Sequence, residues 1–131
     1  MATEILINDG GAPARILPFM AASAVTAGNC VNIDSAGKVV PAHTTLLEGF
    51  KESILGYALT TVSANELCSV ITGKGVMLKA LCGATMTTGK GGHIGATPGQ
   101  LALNVVLGEP IALVSTDPDA GSLGLKTIVT I

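Results

Sequence analysis

Histidines and cysteines are the residues with which this sequence could most readily bind a metal or attack a substrate. His43 and His93 are its only histidines, and neither belongs to an H-x-x-x-H or H-E-x-x-H pair, which would place two zinc ligands on one helix face. The cysteines are Cys30, Cys68 and Cys82. Because they are odd in number and form no C-x-x-C pair, we predict neither a zinc site nor a closed disulfide framework. We interpret them as buried free thiols of a reducing compartment, packed in strands as small hydrophobic side chains.

Two loops match ligand-binding motifs only in part. Segment 83–92, GATMTTGKGG, has five residues between its first glycine and Gly-Lys, whereas a phosphate loop has four and continues with Ser or Thr. Asp117, Asp119 and Gly121 lack the third ligand and the closing glutamate of a calcium loop. We predict β-turns at both places. Since no Gly-x-Ser-x-Gly elbow occurs either, we assign no catalytic, metal or cofactor-binding residues and expect a protein that is not an enzyme.

Lys79 is the candidate for a covalently carried cofactor. It lies in the run VMLKA, residues 76–80, which resembles the lysine-bearing hairpin of biotinyl and lipoyl carrier domains. Those domains present the lysine at an exposed hairpin tip beside methionines or an acidic residue, whereas here Leu78 and Ala80 flank it within a strand-like run. We therefore expect no cofactor, and we keep as an alternative a soluble β domain that binds a small ligand or uses Lys79 as an attachment site.

The composition indicates a protein that covers much of its surface with other protein chains. The 131 residues suffice for one domain with its own core. Charged residues make up 12%, hydrophobic residues 48%, and the formal net charge is -2, whereas about a quarter of the residues of a typical soluble domain are charged. A surface so poor in charge is either embedded in lipid or buried against protein.

Nucleic acid and lipid are both unlikely partners by composition. The seven cations are scattered, and the aromatic side chains that could stack on bases are limited to Phe19, Phe50 and Tyr57. The longest uncharged stretch, residues 16–33, is interrupted by a proline, a glycine and two asparagines, so it does not have the continuous apolar character of a membrane-spanning helix. We expect no nucleic-acid partner and no membrane partner, which leaves protein partners.

Glycine and proline divide the chain into short β-rich runs, which predicts an all-β fold: a small β-barrel or sandwich of about ten short strands. The predicted strands are residues 3–8, 15–21, 29–34, 38–40, 54–60, 67–72, 76–81, 100–106, 110–115 and 126–131. At most one short helix is expected, because Thr45-Leu46-Leu47-Glu48 matches a capping box. The similar Ser63-Ala64-Asn65-Glu66 precedes a β-rich segment and is predicted to be a turn.

The chain contains a weak internal duplication, which predicts two similar β-units packed against each other. In its first half, Thr26-Ala27-Gly28 is followed by Ile33, Gly37 and Val39; in its second half, Thr87-Thr88-Gly89 is followed by Ile94, Gly99 and Leu101. Farther on, residues 57–59 match residues 111–113. Each half then ends in a strand, residues 68–72 in the first half and residues 127–131 in the second.

Short segments of glycine and apolar residues follow one another along residues 15–131. They are Thr26-Ala27-Gly28, Gly37-Lys38-Val39-Val40-Pro41-Ala42, Ile54-Leu55-Gly56-Tyr57-Ala58, Gly73-x-Gly75-Val76, Gly99-Gln100-Leu101 and Ile128-Val129-Thr130-Ile131. In this order they resemble the capsid cement or head decoration proteins of tailed bacteriophages. The resemblance implies a compact β-barrel or sandwich that forms a homotrimer, binds the major capsid protein outside the expanded head and bridges capsomers. It also implies a virion location on the capsid surface, after assembly in the host cytoplasm, and no catalytic residues.

The N-terminal segment leaves two interpretations open. Residues 1–13 form either an arm or the first strand of the protein's own sheet, and residues 14–131 form a single β domain. As an arm, the segment would pair by main-chain hydrogen bonds with a strand of the capsid protein. The expected capsid contacts are then Thr3, Glu4, Ile5, Leu6, Ile7 and Asn8. A structural role elsewhere in the virion, as a tail or fibre-base module, is a further alternative.

Overall fold

The protein is built of β-strands, as predicted. The computed structural model describes residues 5–8, 15–42, 54–83, 89, 91–94, 97–102, 112–116 and 124–131, and these contain eleven strands and no helix. The strands are β1 (Leu6–Asn8), β2 (Arg15–Met20), β3 (Cys30–Ile33), β4 (Val39–Pro41), β5 (Ile54–Ala58), β6 (Leu67–Thr72), β7 (Met77–Cys82), β8 (Gly91–Ile94), β9 (Leu101–Ala102), β10 (Ala112–Thr116) and β11 (Gly124–Thr130). The helix predicted at residues 45–48 lies outside the described residues.

Two sheets, each closed on itself, make up the fold. One sheet has the order β2-β6-β5-β3-β4, and a parallel bridge between Ala21, directly after β2, and Val39 of β4 closes it. The other has the order β1-β7-β11-β10-β8-β9, and the parallel pairing of Cys82 in β7 with Leu101 in β9 closes it. We call strands β2 to β6 the first unit and strands β7 to β11 the second unit; β1 is an additional strand on β7.

The two units are the duplication that the sequence predicts. Strands β2 to β6 correspond one by one to strands β7 to β11. The strands have the same order in the two sheets, and the same two strands form the closing parallel pair. Gly28 and Gly89 have φ of +93° and +85°, and Gly37 and Gly99 have +80° and +78°. The N–H groups of Gly28 and Gly89 each donate to a carbonyl of the matching strand, β5 or β10, at 2.8 and 2.9 Å. The glycine pairs matched in the sequence therefore occupy equivalent turns.

The strand register corrects the predicted alignment of the later strands. Cys30 of β3 and Gly91 of β8 occupy equivalent positions in the two units. Tyr57 pairs with Cys30 and Leu113 pairs with Gly91, so Tyr57 corresponds to Leu113 and not to residue 111, its predicted match. The closing strands correspond as 68–72 and 126–130, one residue earlier than predicted. For Tyr57 the shift is two residues, which equals the period of apolar alternation; the same face stays buried and the sequence pattern does not reveal the shift.

Each unit has its own interior, and the second core extends into the boundary between the units. The core of the first unit contains Ala21, Val25, Val31, Val39, Ala58, Cys68 and Val70. The larger core contains second-unit residues such as Leu78, Leu101 and Ile128, together with first-unit residues Cys30, Ala42, Tyr57 and Ile71. Because side chains from both units share this core, burying apolar surface there stabilises their attachment to each other.

The Gly28 turn, residues 26–29, joins the two units. Its Gly28 carbonyl accepts a hydrogen bond from Leu81 N–H of β7 at 2.9 Å. The turn fits closely against the second unit, since a Cβ atom on Gly28 would lie 2.5 Å from Leu125 Cδ2. The positive φ favours glycine here, and the missing Cβ atom lets Leu125 pack directly against the turn.

Candidate functional site: an exposed apolar ribbon

Strand β2 presents apolar side chains to solvent. Side chains alternate along a strand, so Ile16, Pro18 and Met20 share one face of β2. The antiparallel register places Leu67 of β6 directly opposite Met20, and directly paired residues lie on the same face. We call these four residues the apolar ribbon.

The ribbon is the main uncovered apolar surface of the described residues. Ile16, Met20 and Leu67 are 46%, 38% and 65% exposed. Together with Leu17 on the opposite face of β2, they account for four of the six exposed large hydrophobic side chains found among the described residues. A contiguous apolar surface is typical of a site that binds another protein.

Pro18 determines how a partner can bind the ribbon. Ala21 N–H donates to Glu66 O at 2.9 Å, on the β6 side, so by alternation the backbone groups of Ile16, Pro18 and Met20 point away from β6, toward the open edge. Proline has no N–H, and an added strand would find no donor at Pro18. The ribbon is therefore suited to contact through its side chains rather than to strand addition.

A tight turn precedes the β6 part of the ribbon. Ser63 N–H donates to Glu66 Oε1 at 2.6 Å, and Asn65 has a φ of +65°. The prediction of a turn rather than a helix at residues 63–66 is confirmed. The capping-box contact is present, but it closes a β-turn that leads directly into β6.

Neither a protein-family model nor a curated protein sequence matches the chain. Among solved structures, the chain is similar to the N-terminal base of head fiber gp8.5 of bacteriophage phi29, with a TM-score of 0.67 and 14% sequence identity; the match covers 91% of this chain and 95% of that one. The two chains share a fold. At this identity the likeness concerns the backbone architecture, which here extends over nearly the whole of both chains.

The expected capsid-contact residues lie in and before β1. Thr3 and Glu4 are outside the described residues. Ile5 is 1% exposed and belongs to the core that joins the units, and Leu6–Asn8 pair with β7 of the same chain. Of the two interpretations of this segment, residues 5–8 thus take the form of a strand in the protein's own sheet, at the end of the strand order.

Lys79 lies in the middle of β7, opposite Thr127 of β11. Its backbone N–H donates to Ile5 O at 2.8 Å, so strands flank it on both sides. A carrier lysine must reach a partner enzyme from a hairpin tip, and the position of Lys79 gives that alternative no support.

The remaining candidate residues do not come together. His93 lies in β8, whereas His43, Asp117, Asp119 and Gly121 lie outside the described residues. Across the described ranges, no group of three or more His, Cys, Asp or Glu side chains could hold a metal ion. Also within these ranges, the structure has no helix with the length and apolar content needed to cross a membrane.

The three cysteines are buried free thiols, as predicted. Cys30 and Cys82 share the larger core with Tyr57, whose hydroxyl has no hydrogen-bond partner among the described residues. Burial raises the pKa of Cys30 and of Tyr57 well above their ordinary values, and the neighbouring Cys30 and Cys82 raise that of Tyr57 further. These groups fill space in the core and are not poised as nucleophiles.

Stability is expected to fall at alkaline pH. Because the folded chain holds the Cys30 and Tyr57 protons more tightly than the unfolded chain, their contribution is intact below the unfolded pKa values, about 8.5 for cysteine and about 10 for tyrosine. Above those values, each group lowers the free energy of unfolding by about 1.4 kcal/mol per pH unit. Urea unfolding between pH 7 and 10.5 measures this decrease, and an unchanged urea midpoint over that range would contradict it.

Proposed function

We propose that the protein is a structural component of a tailed-bacteriophage head, a decoration protein that binds the outside of the capsid as an oligomer. In this role it binds the major capsid protein and stabilises the shell by bridging capsomers. The observation that carries the proposal is the fold shared along almost the entire chain with the base of a phage head fiber. The resemblance of the sequence phrases to decoration proteins points independently to the same kind of particle.

The surface chemistry supports a role in assembly rather than in catalysis. A protein that stabilises a shell does so by burying apolar surface at many identical contacts, which requires no reactive group. The low charge of the chain and the exposed side chains of the apolar ribbon supply such surface. The thiols and the tyrosine hydroxyl of the larger core are buried between the units.

The N-terminal segment is the proposed contact with the capsid protein. Strand β1 is at the end of its sheet, and one of its edges is used by β7. A capsid strand pairing with its other edge would extend the sheet by main-chain hydrogen bonds. Thr3 to Asn8 would form this contact, and Ile5 would anchor it in the core.

A head-fibre base is the second candidate, and the shared fold with the phage phi29 head fiber base favours it. A fibre base also sits on the head, but it carries a projecting fibre and is present where fibres are attached. Electron cryomicroscopy of the native virion separates the two functions, because a decoration protein occupies the shell as a low layer, whereas a fibre base continues outward as a stalk.

Adding the purified chain to expanded, undecorated heads tests the proposal. We expect saturable binding to the outer surface, visible by electron cryomicroscopy, and heads that release their DNA at a higher temperature than undecorated heads. A chain lacking residues 2–4 keeps Ile5 and is expected to fold normally but to bind heads more weakly. Heads that remain bare at saturating protein would refute the capsid role; equal binding by the shortened chain would exclude Thr3 and Glu4 as contacts.

A further inference from the structure

The apolar ribbon has an equivalent in the second unit. Strand β2 corresponds to β7, and β6 corresponds to β11. Met20 pairs with Leu67 in the first unit, and Leu81 pairs with Leu125 in the second unit. Met20 is therefore equivalent to Leu81, and Leu67 is equivalent to Leu125. The closing parallel pairs confirm this match, since Ala21 and Cys82, the residues that follow, make the equivalent bridges.

In the second unit, this pair of residues holds the Gly28 turn of the first unit. Leu81 N–H donates to Gly28 O at 2.9 Å, and Leu125 lies against Gly28 so closely that a Cβ atom there would be 2.5 Å from its Cδ2. In the first unit, Met20 and Leu67 are instead exposed members of the ribbon. The first unit thus has the equivalent pair of residues, but no turn among the described residues packs against it.

The corresponding occupant also exists in the chain, at Gly89. Gly89 has the positive φ of Gly28 and makes the same hydrogen bond within its own unit. Unlike Gly28, it is exposed, and a Cβ atom placed on it would meet nothing within 4 Å among the described residues. Within the described residues, the chain therefore shows one filled contact, between Gly28 and the second unit, and the two unfilled halves of a second contact.

We propose that Gly89 of one copy docks on Met20 and Leu67 of the next copy, repeating between chains the contact that Gly28 makes within the chain. Met20 N–H would donate to the Gly89 carbonyl, and Leu67 would cover the glycine. This proposal specifies the surfaces of the self-association included in the proposed function. The contact is head-to-tail, so identical copies form a closed ring when the rotation between them closes.

Pro18 makes the ribbon selective for a turn. Its equivalent in the second unit is Lys79, whose N–H donates to Ile5 at the start of β1. Pro18 cannot make this bond, so the first unit does not accept a strand in the position that β1 has on β7. Met20 N–H, which would donate to the Gly89 carbonyl, points toward the edge of β2 that faces away from β6.

Alanine substitutions at two glycines test the proposal under matched conditions. Gly89 and Gly37 both have positive φ and open space around a Cβ atom, so alanine strains the backbone equally at each. Only Gly89→Ala would place a methyl group against Leu67 of a neighbour. By sedimentation equilibrium without capsids, we expect oligomers for the wild type and Gly37→Ala, and at least tenfold weaker association for Gly89→Ala. Equal association of the two variants, or a wild type that is monomeric at millimolar concentration, would overturn the proposal.

A mixing experiment tests the head-to-tail geometry. Leu67→Asp disrupts the receiving surface and Gly89→Ala hinders docking at Gly89, so each variant alone is expected to associate at least tenfold more weakly than the wild type. A mixture of the two retains one intact contact and should form 1:1 dimers that grow no further. Ile33→Asp, at an exposed isoleucine of β3, is the control and should associate like the wild type. A mixture that stays monomeric, or a Leu67→Asp variant that forms the full oligomer, would refute the geometry whatever the outcome with heads.

Discussion

Alanine in place of Gly56 is expected to destabilise the fold severely. A Cβ atom at this position of β5 would lie 2.1 Å from the carbonyl oxygen and 3.0 Å from the carbonyl carbon of Ile71 in β6. Both are backbone atoms of a paired strand, so relief requires β5 and β6 to separate. We expect a loss of more than about 4 kcal/mol, most of the stability of a typical small domain. Far-ultraviolet circular dichroism and urea unfolding measure this loss.

Gly124→Ala is the matched control for the Gly56 variant. Gly124 is also a strand glycine, in β11, and a Cβ atom there would meet nothing within 4 Å. Alanine reduces the entropy of the unfolded chain, so the change in unfolding free energy should be within about 1 kcal/mol of zero. A Gly56 variant as stable as the Gly124 variant would show that β5 and β6 do not approach each other as described.

Gly28→Ala is expected to have the second largest effect, because it combines backbone strain with a clash between the units. The φ of +93° disfavours any residue with a Cβ atom, and that atom would lie 2.5 Å from Leu125 Cδ2 and 3.4 Å from the Lys79 carbonyl. The Leu125 side chain would have to shift away from the turn, which weakens its packing between the units. We expect a loss of about 2–4 kcal/mol in urea unfolding.

Gly37→Ala separates the two contributions. Its φ is +80° and space around a Cβ atom is open, so it reports backbone strain alone, about 1–2 kcal/mol. The excess loss in Gly28→Ala over this value is the contribution of the contact between the units. Equal losses in the two variants would mean that the close packing of Leu125 against Gly28 does not contribute to holding the units together.

Much of the architecture can be read from the sequence, because strands and turns leave local signals. Gly28, Gly37, Gly89 and Gly99 could be matched in pairs because positive φ restricts the residue choice at each turn. Strand β8 was missed because Gly91-Gly92-His93 has low β-propensity. The duplication could have located it, since Ile94 matches Ile33, the last residue of β3.

The candidate surface is harder to predict from the sequence. Ile16 and Leu67 have the same residue types as buried strand positions, and only the structure shows that nothing within the described residues covers them. Pro18 was a usable signal, because proline in a strand indicates an edge. The equivalence of Leu67 and Leu125 follows from the strand register. The apolar pattern repeats every two residues, so it does not determine that register.

The pairing of β1 with β7 has a consequence for synthesis on the ribosome. Residues 6–8 are translated before the first unit, whereas their partner strand, residues 77–82, is translated after it. Residues 6–8 therefore have to wait for β7 while β2 to β6 emerge and close on themselves. Ile5 can enter its final position only when translation has passed Lys79, so a segment translated before the first unit reaches its native place after it.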